Sequence, residues 1–255
     1  MPEFPIVDTH VHLWDTKRLN YPWLDGIPAL NRPFLLSDYQ KACGSVDVTA
    51  MVFVQCEAEP GQGMQEVDLA IAIAEGEPRL KGIVAWAPMA GGAQCREDLA
   101  RLVAKSPLVK GVRRLIQSEP DPEFCLQEGF LECLQCLPDL NLSFDICISH
   151  EQLANTITMV RRCPDTTFVL DHIAKPDIRA GRLDPWRQEL SELARSPNVV
   201  CKISGLVTEA DPVNWTRDDL KPYIDHVIEC FGFDRVMYGG DWPVSTQATD
   251  YPRWV

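Results

Sequence analysis

Short apolar runs rich in β-branched residues alternate along this chain with longer stretches whose apolar positions recur every three or four residues. Strand-length runs occupy residues 49–55, 80–86, 109–116, 142–148, 167–171, 199–203 and 235–238, and the apolar segment 4–7 ahead of them brings the number to eight. Residues 36–43, 64–74, 95–105, 124–137, 151–162, 184–195 and 218–231 lie between the runs and carry helical spacing. Near-continuous apolar strands joined by helices predict a parallel sheet covered on its faces. Eight repeats predict a closed (β/α)8 TIM barrel rather than an open doubly wound sheet. No Gly-x-Gly-x-x-Gly follows the first run, which argues against dinucleotide binding.

The polar residues sharpen that picture. Residues two apart on a strand point the same way, so His10 and His12 in Asp8-Thr9-His10-Val11-His12 aim both imidazoles at one point. Asp241, in Gly239-Gly240-Asp241-Trp242-Pro243 near the other end, can close that point only if the first and last strands meet, which again requires a barrel. Together the three read as a metal site. Barrel active sites lie at the C-terminal ends of the strands. There the chain places Gln55 after strand two, Arg113 and Arg114 in strand four, Asp171 and His172 after six, and Lys202 and Ser204 after seven. Successive strand residues face opposite sides, so one of the two arginines enters the mouth. Trp14, Tyr21 and Trp23 either cap the core or form an aromatic pocket wall, whereas His150 and His226 read as hydrogen-bonded structural residues.

The chain has 255 residues, 45% hydrophobic, enough for one barrel spanning 1–255. With 24 Lys+Arg against 37 Asp+Glu its net charge of −13 would repel a nucleic acid or an anionic membrane. The N-terminus has no basic, then apolar, leader pattern and no later stretch suits a membrane span, so the expected location is cytoplasmic. The ten cysteines are scattered through strands and helices and are expected to be reduced; Cys133-Leu-Gln-Cys136 stands alone as a Cys-x-x-Cys pair and lies on helical spacing, weak grounds for zinc or redox chemistry.

Val7-Asp-Thr-His-Val-His-Leu-Trp14, Tyr21-Pro-Trp23, Val169-Leu-Asp-His-Ile-Ala-Lys-Pro176, Cys201-Lys-Ile-Ser-Gly205 and Gly240-Asp-Trp-Pro243, in that order, resemble the amidohydrolase superfamily. Within it the likeness is to the sugar-acid lactonase branch typified by fuconolactonase and pyrone-dicarboxylate lactonase, and it runs from Ile6 to Pro243. The resemblance implies that His10 and His12 are strand-one ligands, His172 the strand-six histidine and Asp241 the aspartate that activates water. It also makes Arg113, rather than Arg114, the arginine that reaches the pocket. Where binuclear relatives carry a carboxylated lysine or glutamate in strand four this chain has Val112-Arg113-Arg114-Leu115, so a binuclear centre is not expected. One divalent metal, zinc in the first instance, or none at all, is the implied cofactor.

The implied activity is hydrolysis of an aldonic or related carboxylated lactone by Asp241-activated water. Arg113, Arg114, Lys175, Gln55, Trp14, Tyr21 and Trp242 would hold this small-molecule substrate. Two rivals stand beside it: a metal-dependent decarboxylase of the same superfamily, favoured if His150 were a ligand, and a non-catalytic sugar-acid-binding barrel, favoured if Asp241 turned out of the pocket. The sequence ends at Val255, shortly after Asp241, where the eighth helix of a barrel would begin. A shortened C-terminus is therefore expected to leave apolar surface on strands one and eight, a site for self-association into a homo-oligomer.

Overall fold

All eight apolar runs become strands of one parallel sheet: β1 (Ile6–Val11), β2 (Val48–Val54), β3 (Leu80–Trp86), β4 (Val109–Arg113), β5 (Ser143–Ile146), β6 (Phe168–Leu170), β7 (Val199–Ile203) and β8 (Val236–Tyr238), paired in chain order. The structure is a computed structural model that describes residues 4–89 and 91–255. The barrel closes beyond β8, where the Asp241 N–H donates to His10 O and the His12 N–H to Trp242 O, both at 2.8 Å. β1 runs further than its apolar letters suggest and includes His10, because closure gives even its polar positions a ladder partner. β4 and β5 stop earlier than expected, at Arg113 and Ile146.

Helices α1 (Leu36–Cys43), α2 (Gly63–Gly76), α3 (Gly92–Lys105), α4 (Glu128–Cys136), α5 (Leu153–Arg162) and α6 (Trp186–Leu193) follow β1 to β6. After β7 come the single turn α7 (Leu206–Glu209) and the long α8 (Arg217–Phe231). Local sequence explains their limits. In α5, Leu153, Thr156, Ile157 and Val160 form one buried stripe, and Arg161 and Arg162 sit at the negative end of the helix dipole. Thr216 and Asp219 form a capping box at the start of α8, and Gly232 ends it. Phe130, Phe144 and Phe168 meet edge to face between α4, β5 and β6. Burying each phenyl ring is worth about 2–3 kcal/mol.

No full eighth barrel helix follows β8 among the described residues; a four-residue turn, α9 (Tyr251–Trp254), does. It covers part of the seam between β8 and β1, with Trp254 Nε1 donating to Gly239 O at 2.9 Å, while Val7 on β1 remains 49% exposed. The cysteines depart from expectation at one place: Cys95 of α3 is bonded to Cys133 of α4, not held as a free thiol. The two neighbouring helices bring their Cα atoms to 5.8 Å across 38 residues of sequence, a proximity no local motif announces. The other eight cysteines are free, Cys136 among them, so the Cys-x-x-Cys pair does not act as a unit. No helix among the described residues is long and apolar enough to cross a membrane.

Candidate active site

The C-terminal ends of the strands enclose a cavity of about 280 Å³, and His12, Arg113, His172, Lys175 and Asp241 all reach its wall. His10 lies just beneath, fully buried. Its Nε2 is 3.1 Å from His12 Nε2, and Asp241 Oδ1 is 3.8 Å from the first and 3.5 Å from the second. The second ring nitrogens fix the tautomers. His12 Nδ1 lies 2.8 Å from Val54 O, which can only accept, so Nδ1 carries the hydrogen and Nε2 a lone pair. His10 Nδ1 has Asp171 Oδ1 at 3.4 Å and Lys202 Nζ at 3.5 Å; with its hydrogen given to Asp171, the lone pair on Nε2 serves either Arg113 Nη1, 3.3 Å away, or an ion, not both.

Two imidazole lone pairs facing each other at that distance repel unless a cation lies between them. Ligands about 2.0–2.1 Å from a tetrahedral zinc stand about 3.3 Å apart, close to the spacings here, so His10, His12 and Asp241 would fit one divalent ion. Burial holds the imidazolium forms of His10 and His172 down, the latter to about 4, which leaves both neutral at pH 7. Burial acts against the charge on Asp241, yet the imidazoles of His172, His12 and His10 hold its carboxyl below the ordinary range, so it is ionised.

His172 and Lys175 owe their directions to an unusual turn. After β6, His172, Ile173, Ala174 and Lys175 all adopt positive φ between 46° and 63°, a left-handed conformation that costs residues with a Cβ on the order of 1 kcal/mol each. Three contacts hold it: Trp186 Nε1 to Ile173 O at 2.7 Å, His172 Nδ1 with Ser204 Oγ at 2.9 Å, and His150 Nδ1 with Lys175 O at 3.1 Å. Gly205, itself at φ 66°, makes room, because a Cβ there would lie 2.6 Å from His172 Nδ1. This is the structural content of Asp-His-x-x-Lys-Pro.

Beneath the cavity lies a buried ionic network. Lys202 of β7 pairs with Asp145 of β5 and lies 3.1 Å from Asp171 Oδ1, while Arg113 of β4 is 3.1 Å from Asp171 Oδ2 and donates to Gln55 O at 2.7 Å. Burial would raise Asp171, but Lys202 and Arg113 hold it well below the usual carboxylate range. Asp145, for which burial outweighs Lys202, is pushed up to about 6. Sequence reasoning placed Asp171, Lys202 and Ser204 at this end of the barrel but passed over Asp145, whose signal was a lone charge inside the apolar run 142–148.

The remaining expected residues divide. Lys175 Nζ donates to Gln117 Oε1 at 2.6 Å on the wall, and Trp23 joins the wall with Nε1 donating to Cys56 O at 2.8 Å. Arg113 points inward as the alternation predicts; Arg114 also reaches the cavity, at its rim, because β4 has ended and the alternation no longer applies. Trp14, Tyr21, Gln55 and Trp242 lie outside the wall. Trp14 packs among Tyr21, Trp23 and Phe34 with Nε1 donating to Arg32 O, Trp242 packs on Phe34 and Tyr39, and the Gln55 side chain is turned to Glu57. His150 stays outside the metal-fitting cluster, and His226 pairs with Ser191 and Arg187 O.

The amidohydrolase family pattern matches residues 7–255. An L-fucono-1,5-lactonase of Burkholderia ambifaria is 30% identical over 256 residues, covering 98% of this chain and 85% of that protein. The crystal structure of an amidohydrolase from Burkholderia multivorans with bound zinc superposes with a TM-score of 0.86 at 30% identity, covering 98% of this chain and 89% of that one. A probable 2-pyrone-4,6-dicarboxylic acid hydrolase of Acinetobacter baumannii shares the fold, with a TM-score of 0.76 at 18% identity over 97% of this chain and 88% of its own.

Proposed function

The chain belongs to the amidohydrolase family, and on that premise we propose that it hydrolyses the ring ester of a sugar-acid lactone with Asp241 as general base. The observation that carries this reading is the meeting of an ionised Asp241 with the lone-pair sides of His10 and His12 at the floor of a cavity sized for a small ring. The name of the B. ambifaria relative supports it.

Asp241 takes a proton from the attacking water and later returns it to the alkoxide that leaves as the ring opens. In the tautomer whose Nδ1 accepts from Ser204 Oγ, 2.9 Å away, His172 carries its hydrogen on Nε2 and can hold the oxygen on which charge grows, together with the Arg113 guanidinium. An ester leaving group needs less acid assistance than an amide. A divalent ion, zinc by analogy with the B. multivorans structure, would be held by His10, His12 and Asp241 and when bound supplies Lewis-acid polarisation of the carbonyl.

The wall favours an uncharged aldonic lactone over one bearing further carboxylates. Arg113 is paired with Asp171 and Arg114 with Glu119, and Glu57 adds an acid, which leaves Lys175, hydrogen-bonded to the neutral Gln117, as the cation still open to substrate. Lys175, Gln117 and Ser118 are placed to bind ring hydroxyls. The position of Asp241 in the wall counts against a merely binding barrel, and that of His150 against the decarboxylase. Turnover of a panel of aldonic and carboxylated lactones, followed by proton release with and without added zinc, tests the reading. Activity is expected on at least one uncharged lactone; a folded protein inert toward all of them would overturn it.

A further inference from the structure

We propose that Tyr251, on the last turn of the chain, is a positioning residue for the candidate active site and acts through Asp8. The inference rests on taking His10, His12 and Asp241 as the reacting cluster. Asp8 is fully buried, and four neutral donors converge on its carboxylate. Oδ1 accepts from the backbone N–H of His10 at 3.0 Å and of Gly240 at 2.7 Å; Oδ2 accepts from the hydroxyls of Tyr39 at 2.9 Å and Tyr251 at 2.7 Å. One oxygen therefore joins the backbones on either side of the seam, one bearing the His10 imidazole and the other leading directly into Asp241. The second oxygen is what the tyrosines hold, and it sets the plane of the carboxylate and hence the place of the first.

Tyr251 acts on both sides of the seam. Gly240 lies so close to this hub that a Cβ there would collide with Asp8 Oδ2 and meet Tyr251 Cε2 at 2.6 Å, which is why this position has no side chain. The turn carrying it is itself fixed, with Asp250 accepting from Arg253 N at 2.8 Å and Trp254 reaching Gly239 O. Loss of the Tyr251 hydroxyl leaves Tyr39 as the sole side-chain donor to Oδ2 and frees the carboxylate to rotate. The distance between His10 Nε2 and Asp241 Oδ1 then relaxes, and small misplacements of reacting groups are costly in rate.

The protein has five histidines, so ¹⁵N-histidine labelling gives a spectrum in which each ring can be followed without substrate. Tyr251→Phe is expected to move the ring signals of His10 and His12 and to lower kcat about tenfold with KM within about twofold. Tyr223→Phe is the control: it removes a buried tyrosine hydroxyl that donates to Arg182 O at 3.2 Å, far along the chain, and should leave those two rings and kcat unchanged. Asp8→Asn keeps an oxygen for the two backbone donors and offers an amide to the two hydroxyl oxygens, so it should retain kcat within about threefold if geometry is what matters. Unchanged His10 and His12 signals in Tyr251→Phe would overturn the positioning role whatever the lactone assays give. Moved signals in a protein whose wild type opens no lactone would instead sink the proposed reaction and leave the positioning standing.

Discussion

The β4–β7 side of the barrel floor and the seam between β8 and β1 hold the same residue, His10, by opposite means. On the first side Arg113, Asp145, Asp171 and Lys202 form a buried set of two cations and two anions, and Asp171 faces the ring nitrogen of His10. On the second, a single carboxylate, Asp8, is met only by neutral N–H and O–H donors and grips the His10 backbone. A buried ion pair gains little over an apolar equivalent but is costly to break, since the partner left behind has no water to turn to. A hydrogen-bonded hub fails more gently. The floor therefore demands particular charges, whereas the seam demands shape, including a glycine at 240.

Where the two regions meet lies Asp241, and its replacement should have the largest effect. Asp241→Asn keeps the outline of the side chain but cannot take a proton, so kcat should fall by about 10²–10⁴ with KM little changed. A variant that retains near wild-type kcat on the best lactone would remove Asp241 as the base. Next comes the ionic side. Lys202→Met fills similar space without charge and leaves Asp145 and Asp171 sharing Arg113 alone, for an expected loss of about 3–5 kcal/mol in urea unfolding. Asp8→Asn, by contrast, should cost under about 2 kcal/mol, because both backbone donors keep their acceptor and the two hydroxyls, 3.1 Å apart, can accept from the amide while one donates to the other. Equal losses from the two would erase the distinction between charge-held and shape-held regions.

A third test concerns a charge kept out of the floor. Glu66 of α2 is buried behind the cavity and accepts from Cys56 N at 3.1 Å, and burial pushes its carboxyl up to about 8. The folded chain thus binds a proton there that the unfolded chain has released above its ordinary value of 4.5. Its contribution to stability is complete below that value and declines as pH rises, by about 1.4 kcal/mol per pH unit, until it is lost at about 8. Glu66→Gln does not ionise. Its stability relative to wild type should rise by up to about 3 kcal/mol between about pH 5.5 and pH 7.5; a difference flat across that range would show that Glu66 is ionised in the fold and answered by a cation.

Much of this was legible in the sequence because barrels repeat. The alternation of apolar runs and helical spacing located all eight strands, and the two-residue step from His10 to His12 announced a shared focus with Asp241. Beyond the strand ends the same periodicity has less to say. Arg114 reaches the rim because β4 ends at Arg113, and Trp14 and Trp242, adjacent to site residues in sequence, turn into the core where their ring packing is satisfied. Asp145 and the tyrosines on Asp8 were missed for another reason. Their partners are 57, 31 and 243 residues away, and nothing local marks such a pairing. Cys95 and Cys133 belong with them.

The smallest expected effect comes from the residue next to one of the largest. Arg113 and Arg114 are chemically identical, yet Arg113 is locked in the floor by Asp171 and Gln55 O, while Arg114 stands at the partly open rim, pairs with Glu119 and passes over the ring of Phe124 at 5.5 Å. A half-exposed guanidinium already answered by a carboxylate has little electrostatic energy left for substrate. Arg114→Ala should therefore lower kcat/KM by under about 1 kcal/mol, roughly fivefold at most. Arg113→Ala, which leaves Asp171 partly uncompensated beside His10, should lose about 2–4 kcal/mol on the same lactone. Comparing the two alanine variants across uncharged and carboxylated lactones makes the contrast decisive. A larger loss at Arg114, confined to carboxylated substrates, would mean that Glu119 yields its arginine to the ligand and that the rim, not the floor, selects what is hydrolysed.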